Sequence, residues 1–218
     1  IDRLRGMEAE SQQESVNFSD YRLKAVHAVG RRFGYEETHA QHVEKLAERI
    51  FDYLLRSGSA NLERHHRTLL SAAALLHDVG YHIAHESHHK HALYLIKHSE
   101  LTGFSEAERD VIANVARYHR GPEPKERHEF YAVLNQADRE TVNKLAAILR
   151  IADALDRRHD SRVSDLRCSR NGRVVQIEMQ SAGNCDREIA AAEQKCALFE
   201  QMFDCRMTFS RRAAAKRA

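Results

Sequence analysis

The sequence predicts a mainly α-helical fold, a helix bundle followed by a small C-terminal β-β-α-β appendage. The 218 residues include only 2 prolines and 9 glycines, so long helices meet few interruptions. Apolar residues recur at helical spacing as far as Leu155, after which short alternating runs begin. We therefore expect a helical domain at 1–160, the appendage at 161–211 and a basic tail at 212–218.

The composition is typical of a soluble globular protein. Hydrophobic residues make up 42% of the chain and charged residues 30%, which favours an ordinary core over long disorder. The formal net charge of +2 argues against specific nucleic-acid binding, and no apolar run is long enough to cross a membrane. The four cysteines lack C-x-x-C spacing, so we expect reduced thiols and a cytoplasmic location.

The first two helices are predicted from N-cap residues and apolar stripes. One helix follows Asn17–Asp20 and ends at Gly34, and a second ends at Gly58. The spacing of the second stripe places His39 on the inner face, in phase with the apolar residues that follow it. His42 remains the alternative inward-facing histidine.

The third and fourth helices flank a dense run of histidines. The third is apolar nearly all round between Leu69 and Leu76, which is typical of a helix at the centre of a bundle. It ends at His77-Asp78. A polar stretch then leads into a fourth helix through Ile96, and the histidines of that stretch are His82, His85, His88, His89 and His91.

Two further helices end near candidate ligands. Ser105 is a suitable cap for a helix that ends at His119. The segment 120–128 holds both prolines and is predicted to be a loop, and loops of this kind often cover a site. A long helix then carries Asp153 in phase with its inner apolar residues.

The appendage is predicted from alternating residues and turn chemistry. Segments 163–168 and 174–179 flank an Asn-Gly pair at 171–172, which suits the type I′ turn of a β-hairpin. Residues 186–203 have the apolar stripe of one amphipathic helix, and 205–209 form a third strand.

Acidic residues on apolar helix faces indicate a bound cation. Burying either Asp78 or Asp153 alone would cost on the order of several kcal/mol. Helix bundles often present histidines and carboxylates jointly to metal ions in their core. We therefore expect a metal site formed by six residues: His39, His77, Asp78, His88, His119 and Asp153.

Less specific interpretations of the acids are a buried ion pair at the end of the third helix and an i, i+4 salt bridge between Asp153 and Arg157. Mixed histidine and carboxylate ligands suit Mn, Mg, Fe, Zn or Co. One or two ions fit the set, with Asp78 shared and with His88 and His119 holding the second. A two-metal site favours hydrolysis of phosphate esters or anhydrides.

Four segments carry a family resemblance: Ala73–Gly80, His88–Ile96, Arg117–Gly121 and Leu149–Asp156. In this order they are similar to the C-terminal helical domain of the exopolyphosphatase and guanosine pentaphosphate phosphohydrolase family. The spaced series His39, His77-Asp78, His119 and Asp153 resembles the wider HD superfamily of metal-dependent phosphohydrolases, of which that family is one branch. The resemblance extends from roughly Tyr21 to the end of the chain. It implies an HD-type helical bundle, with His88 rather than His89 or His91 as ligand.

The resemblance implies a phosphohydrolase, with manganese among the expected ions and a nucleotide, alarmone or polyphosphate as substrate. Lys90, Arg117, Arg120 and Lys125 lie beside the ligands or in the following loop, where they can receive substrate charge. Of these, Lys90 and Arg120 join Asp78 as predicted catalytic residues. The alternative function is a non-catalytic module that binds polyphosphate or a nucleotide.

Full-length members of that family carry an N-terminal actin-like phosphatase domain that this sequence lacks. We therefore expect either a fragment whose partner is the missing catalytic domain, or a stand-alone protein that pairs as a homodimer. Many HD phosphohydrolases also place a lysine shortly after the HD pair, whereas this chain has Tyr81. The substrate's charge must then be met elsewhere in the fold. Neither a membrane nor a specific nucleic acid is expected as a partner.

Overall fold

The computed structural model describes residues 21–58, 61–181 and 183–213. These residues are mainly helical, with a three-stranded sheet near the C-terminus, which confirms the predicted fold class. The expected N-cap at 17–20 and most of the basic tail lie outside the described residues. None of the described helices is both long and apolar enough to span a bilayer.

The helical part ends at residue 154. Its helices are α1 (described over 21–32), α2 (Glu37–Arg56), α3 (Arg64–Leu76), α4 (His88–Lys97), α5 (Glu106–Arg117), α6 (Glu129–Ala132) and α7 (Gln136–Ala154). A short 3₁₀ turn at Val79–His82 and the four-residue α6 were not predicted, because single turns are too short for apolar periodicity to reveal them.

Helix α3 is the centre of the bundle, as its sequence predicts. It packs against α2, α5 and α7, and every residue from Leu69 to Leu76 is buried. Helix α5 begins with the expected cap: the Ser105 hydroxyl accepts from the Glu108 amide, and the Glu108 carboxylate accepts from the Ser105 amide.

Helix α4 begins earlier than predicted. Residues 88–91 form its first turn, whereas the sequence placed them in a polar connection leading into the helix. The prediction was wrong because the apolar stripe begins only at Ala92, so a polar first turn leaves no periodic signal. The turn matters because it fixes the position of His88.

The C-terminal unit packs on the bundle. It consists of β1 (Val163–Asn171), β2 (Val174–Ser181), α8 (Asp186–Glu193), α9 (Cys196–Phe203) and β3 (Arg206–Ala213). Strand β2 lies in the middle, antiparallel to β1 and parallel to β3, while α9 packs against α7 and β1 against α2. The predicted division into domains at 160 stays a prediction.

The predicted hairpin is present, but its turn differs. Asn171 is the last residue of β1 and pairs with Val174, so the turn residues are Gly172 and Arg173. Among the described residues of this turn, only Gly172 has a positive φ, of 57°. A type I′ turn needs two such residues, so one positive φ at the first turn position fits type II′.

The helix predicted at 186–203 is broken at 194–195, giving α8 and α9. The prediction of one helix was wrong because Ala192, Cys196 and Phe199 keep helical spacing across the break. Neither glycine nor proline marks the break. The break places Lys195 beside Asp153.

Candidate metal centre

The structure brings the six predicted ligands together at one end of the bundle. They come from the start of α2, the end of α3, the start of α4, the end of α5 and the last turn of α7. The histidine side chains are at most 2% exposed, and the two acids are 13% and 16% exposed. The six are His39, His77, Asp78, His88, His119 and Asp153.

Asp78 lies at the centre, and its two oxygens face different histidines. Oδ2 is 3.8 Å from Nε2 of His39 and 3.5 Å from Nε2 of His77. Oδ1 is 3.2 Å from Nε2 of His88 and 3.6 Å from Nε2 of His119. A carboxylate in this orientation can bridge two ions.

Asp153 completes the first of two ligand groups. Its Oδ1 lies 4.0 Å from Nε2 of His39 and 3.8 Å from Nε2 of His77. The first group contains these three residues, and the second contains Asp78 and the remaining two histidines. Because Oδ2 of Asp78 also faces His39 and His77, this acid borders both groups.

Hydrogen bonds fix the orientation of the imidazole rings. His77, His88 and His119 each donate from Nδ1 to the carbonyl oxygen of the residue three positions earlier, at 2.6, 3.1 and 2.7 Å. Because a carbonyl oxygen only accepts, each Nδ1 must carry the proton. The lone pair on each Nε2 consequently points into the centre.

His39 is held by a buried carboxylate. Its Nδ1 donates to Oδ2 of Asp156 at 2.8 Å, and Oδ1 of Asp156 accepts from the Ser161 amide at 2.8 Å. Burial lowers the pKa of His39, but the hydrogen bond to Asp156 and the nearby carboxylates outweigh burial, so the net shift is upward. This His-carboxylate pair resembles the outer support that metal-binding histidines usually have.

The two central acids are ionised. Burial alone would raise the pKa of Asp78, but the neighbouring imidazoles, His77 first, hold it well below its usual range. At Asp153 burial is likewise opposed, with Lys195 as the largest opposing group, and that pKa is also low. Burial lowers the pKa of His119 to about 3, so its ring is neutral at pH 7.

These side chains fit a divalent cation. Nε2 of His39 and Nε2 of His77 are buried without a hydrogen-bond partner among the described residues, which is costly for a polar atom. They face ionised carboxylate oxygens, which are also acceptors, so the pairs repel unless a cation lies between them. Two atoms bound to one ion at about 2.1 Å lie no more than about 4.2 Å apart. The nitrogen-to-oxygen distances of 3.2–4.0 Å meet that limit.

A cavity of about 230 Å³ opens onto the centre. Asp78 and Asp153 lie in its wall, together with the cationic side chains Arg120, Arg157 and Lys195. The acids can hold cations while the rim attracts an anion, an arrangement suited to a phosphate ester.

The two predicted catalytic cations differ in position. Arg120 lines the cavity, and its Nη1 lies 3.4 Å from Nε2 of His88. Lys90 is exposed and is absent from the cavity wall. The catalytic roles of Asp78, Lys90 and Arg120 stay predictions.

The alternative histidines lie away from the centre. Nε2 of His42 donates to the Val163 carbonyl oxygen at 2.9 Å, so this side chain supports β1. His89 is half-buried beside the loop at Gly121, and burial lowers its pKa to about 4. His91 is absent from the candidate ligand groups.

Sequence reasoning missed two side chains at the centre. Nζ of Lys195 lies 2.6 Å from Oδ2 of Asp153, so this acid has Lys195 rather than Arg157 as its ion-pair partner. The ring of His159 stacks on His39 with centroids 3.5 Å apart, and it forms a further candidate ligand group with His39 and Asp78. Both lie outside regular helices, where periodicity carries no signal.

The chain matches one protein-family model and is similar to curated proteins over part of their length. Residues 21–195 match the family model described as Ppx/GppA phosphatase, domain III. The chain is similar to a guanosine-5'-triphosphate,3'-diphosphate pyrophosphatase of Pseudoalteromonas atlantica, with 29% identity over 152 residues, 68% of this chain and 29% of the relative. A protein of the same name from Pseudoalteromonas translucida is 46% identical over 52 residues, covering 24% of this chain and 10% of the relative. The chain therefore spans less than a third of the length of these curated relatives.

Proposed function

Because the chain belongs to the Ppx/GppA phosphatase family, matching its domain III, we propose that it is a metal-dependent phosphohydrolase with an HD-type centre. Its substrate class is a phosphate ester or anhydride, such as a nucleotide, an alarmone or polyphosphate. The observation that supports this most strongly is the arrangement around Asp78, which faces a separate histidine pair with each oxygen.

Two adjacent metal positions follow from that arrangement. One is assigned to His39, His77 and Asp153 together with Oδ2 of Asp78, and the other to Asp78, His88 and His119. A divalent ion at such a site supplies Lewis acidity, which activates water and stabilises negative charge on phosphoryl oxygens.

The protein's own groups prepare the site for an anionic substrate. The proton on each Nδ1 is held by a carbonyl or by Asp156, which keeps every Nε2 lone pair directed inward. Arg120 and Arg157 line the cavity, and no ion pair joins either of them to a carboxylate among the described residues. Their guanidinium groups can each bind two phosphoryl oxygens.

A second candidate function rests on the limited coverage of the relatives. A chain that matches 29% of a pyrophosphatase could instead serve as a module that binds polyphosphate or a nucleotide for a catalytic domain elsewhere. In that case the macromolecular partner is such a domain; for a stand-alone enzyme it is a second copy of the chain. A cytoplasmic location suits either function.

Phosphate release separates the two functions. Protein loaded with Mn²⁺ is incubated with guanosine 5′-triphosphate 3′-diphosphate, other nucleotides and polyphosphate. We expect turnover of at least one compound, and a loss of roughly 100-fold or more in Asp78→Asn, because the residue that both ligand groups share loses its charge and one of its two oxygens. Asp110→Asn is the matched control, since Asp110 pairs with Lys97 away from the ligand groups. Turnover that survives in Asp78→Asn refutes the hydrolase; stoichiometric binding without turnover favours the module.

A further inference from the structure

Lys195 reaches the candidate metal centre from the C-terminal unit. Its Nζ lies 2.6 Å from Oδ2 of Asp153, and its side chain is 20% exposed. It also lines the cavity with the rim cations. The C-terminal unit therefore contributes directly to the wall of a site whose six predicted ligands come from the bundle.

The break between α8 and α9 fixes the place of this lysine. On one side, α8 is held by Glu188, which is 1% exposed and accepts two hydrogen bonds from Arg158 at 2.8 and 2.9 Å. On the other side, α9 packs against α7, and its side chains Phe199 and Phe203 are buried. Because the helices on both sides of Lys195 are held in place, the backbone at Lys195 is fixed close to Asp153.

The oxygens of Asp153 are divided between two partners. Oδ1 faces Nε2 of His39 and Nε2 of His77, while Oδ2 accepts from Lys195. The lysine therefore orients the carboxylate and leaves its other oxygen free to face a cation. An ammonium group has three donors, and among the described residues only Asp153 accepts from this one.

The remaining donors of Lys195 border the cavity. A fixed positive charge beside a cation site weakens cation binding and strengthens anion binding, because both effects follow the same Coulomb term. Tyr81, which also lines the cavity, supplies no charge there. Lys195 brings a positive charge to the same wall from the C-terminal unit.

We infer that Lys195 is a positioning and phosphate-binding residue. It holds Asp153 through Oδ2 and donates to a phosphoryl oxygen of the substrate, so the C-terminal unit completes the centre. This inference rests on the proposed function and names the group that recognises the substrate's anionic end.

Two lysine-to-methionine variants test the inference. Lys195→Met removes the charge, and Lys97→Met is its match, because Lys97 forms a similar ion pair with Asp110 at 2.5 Å and is 24% exposed. Calorimetry measures the affinity for Mn²⁺ alone and for inorganic phosphate, with and without Mn²⁺. We expect Lys195→Met to bind phosphate about 10- to 100-fold more weakly, as loss of a charge-assisted hydrogen bond predicts. Its Mn²⁺ affinity should be equal or higher, and Lys97→Met should match the wild type.

A phosphate affinity that falls while the Mn²⁺ affinity does not fall distinguishes this role from a structural one. Lys195→Arg keeps the charge and should recover most of the phosphate affinity. The inference is overturned if Lys195→Met loses affinity for Mn²⁺ and for phosphate equally, if it binds phosphate as the wild type does, or if the wild type itself binds no phosphate. If the wild type binds phosphate through Lys195 but binds no Mn²⁺, the proposed function fails while the anion site stands.

Discussion

Gly80 lies in direct contact with the backbone of His88. A Cβ built on Gly80 would lie 1.9 Å from the His88 carbonyl oxygen, far inside any van der Waals contact. Gly80 belongs to the 3₁₀ turn that follows Asp78, so the missing side chain lets α4 approach that turn. The close approach places Nε2 of His88 at 3.2 Å from Oδ1 of Asp78.

Gly80→Ala should both destabilise the protein and disturb the centre. The added methyl group meets backbone rather than a movable side chain, so we expect a cost of about 3 kcal/mol, the upper end for overpacking. Urea unfolding and Mn²⁺ calorimetry measure the two effects. Gly58→Ala is the control, because its Cβ would meet open space and only its φ of +64° is strained. Normal Mn²⁺ affinity in Gly80→Ala would refute the close-approach argument.

Asp156→Asn should weaken metal binding without removing a ligand. Asp156 accepts a hydrogen bond from Nδ1 of His39. Without the charge of Asp156, the imidazole of His39 can rotate, or its proton can move from Nδ1 to Nε2. Outer-shell changes of this kind cost about 10- to 100-fold in metal affinity. Calorimetry with Mn²⁺ measures this, with Asp52→Asn as control, since Asp52 pairs with Arg67 instead. A wild-type affinity in Asp156→Asn would show that the contact is incidental.

Glu44 should make stability depend on pH. Burial, and then the neighbouring Glu48, raises its pKa from 4.5 to about 7. Because the pKa of Glu44 is higher in the folded state, the stability that its protonation contributes is fully present below about pH 4.5 and is lost as pH rises through about 7. The free energy of unfolding of Glu44→Gln should therefore increase by about 1–2 kcal/mol relative to that of the wild type between pH 5 and 8. Urea unfolding at both pH values tests this, and a pH-independent difference would contradict it; Glu140→Gln serves as the exposed control.

The Arg158–Glu188 pair should anchor α8. Arg158→Met leaves the buried carboxylate of Glu188 without its partner, so we expect a lower free energy of unfolding. The double variant Arg158→Met/Glu188→Leu removes both charges and should recover much of that loss. Urea unfolding of the two single variants and the double variant gives the coupling energy. Strictly additive losses would mean that the pair does not act as a unit.

The sequence predicted the bundle and the meeting of the six ligands well, because both depend on helical phase. In α2 and α7 the apolar stripes point at the same core, so His39 and Asp153 had to face it as well. His77 and Asp78 directly follow the buried stretch Leu69–Leu76 of α3 and must lie at its inner end. Their metal-binding role remains a proposal.

The supporting residues could not be predicted in the same way. Lys195 lies in a helix break that the apolar spacing runs straight across, so only tertiary packing reveals it. Asp156 and His159 lie in the irregular segment after α7, where no periodicity relates sequence position to direction. Side chains that orient ligands are set by long-range contacts, with sequence separations such as the 117 positions between His39 and Asp156.

The number of metal ions retained per chain tests the central claim most directly. Wild-type protein is loaded with Mn²⁺, dialysed and analysed by inductively coupled plasma mass spectrometry alongside Asp78→Ala and His119→Ala. Two groups sharing Asp78 predict about two ions in the wild type, about one in His119→Ala and almost none in Asp78→Ala. A wild type that retains no ion, or an Asp78→Ala variant that retains as many as the wild type, would contradict the account.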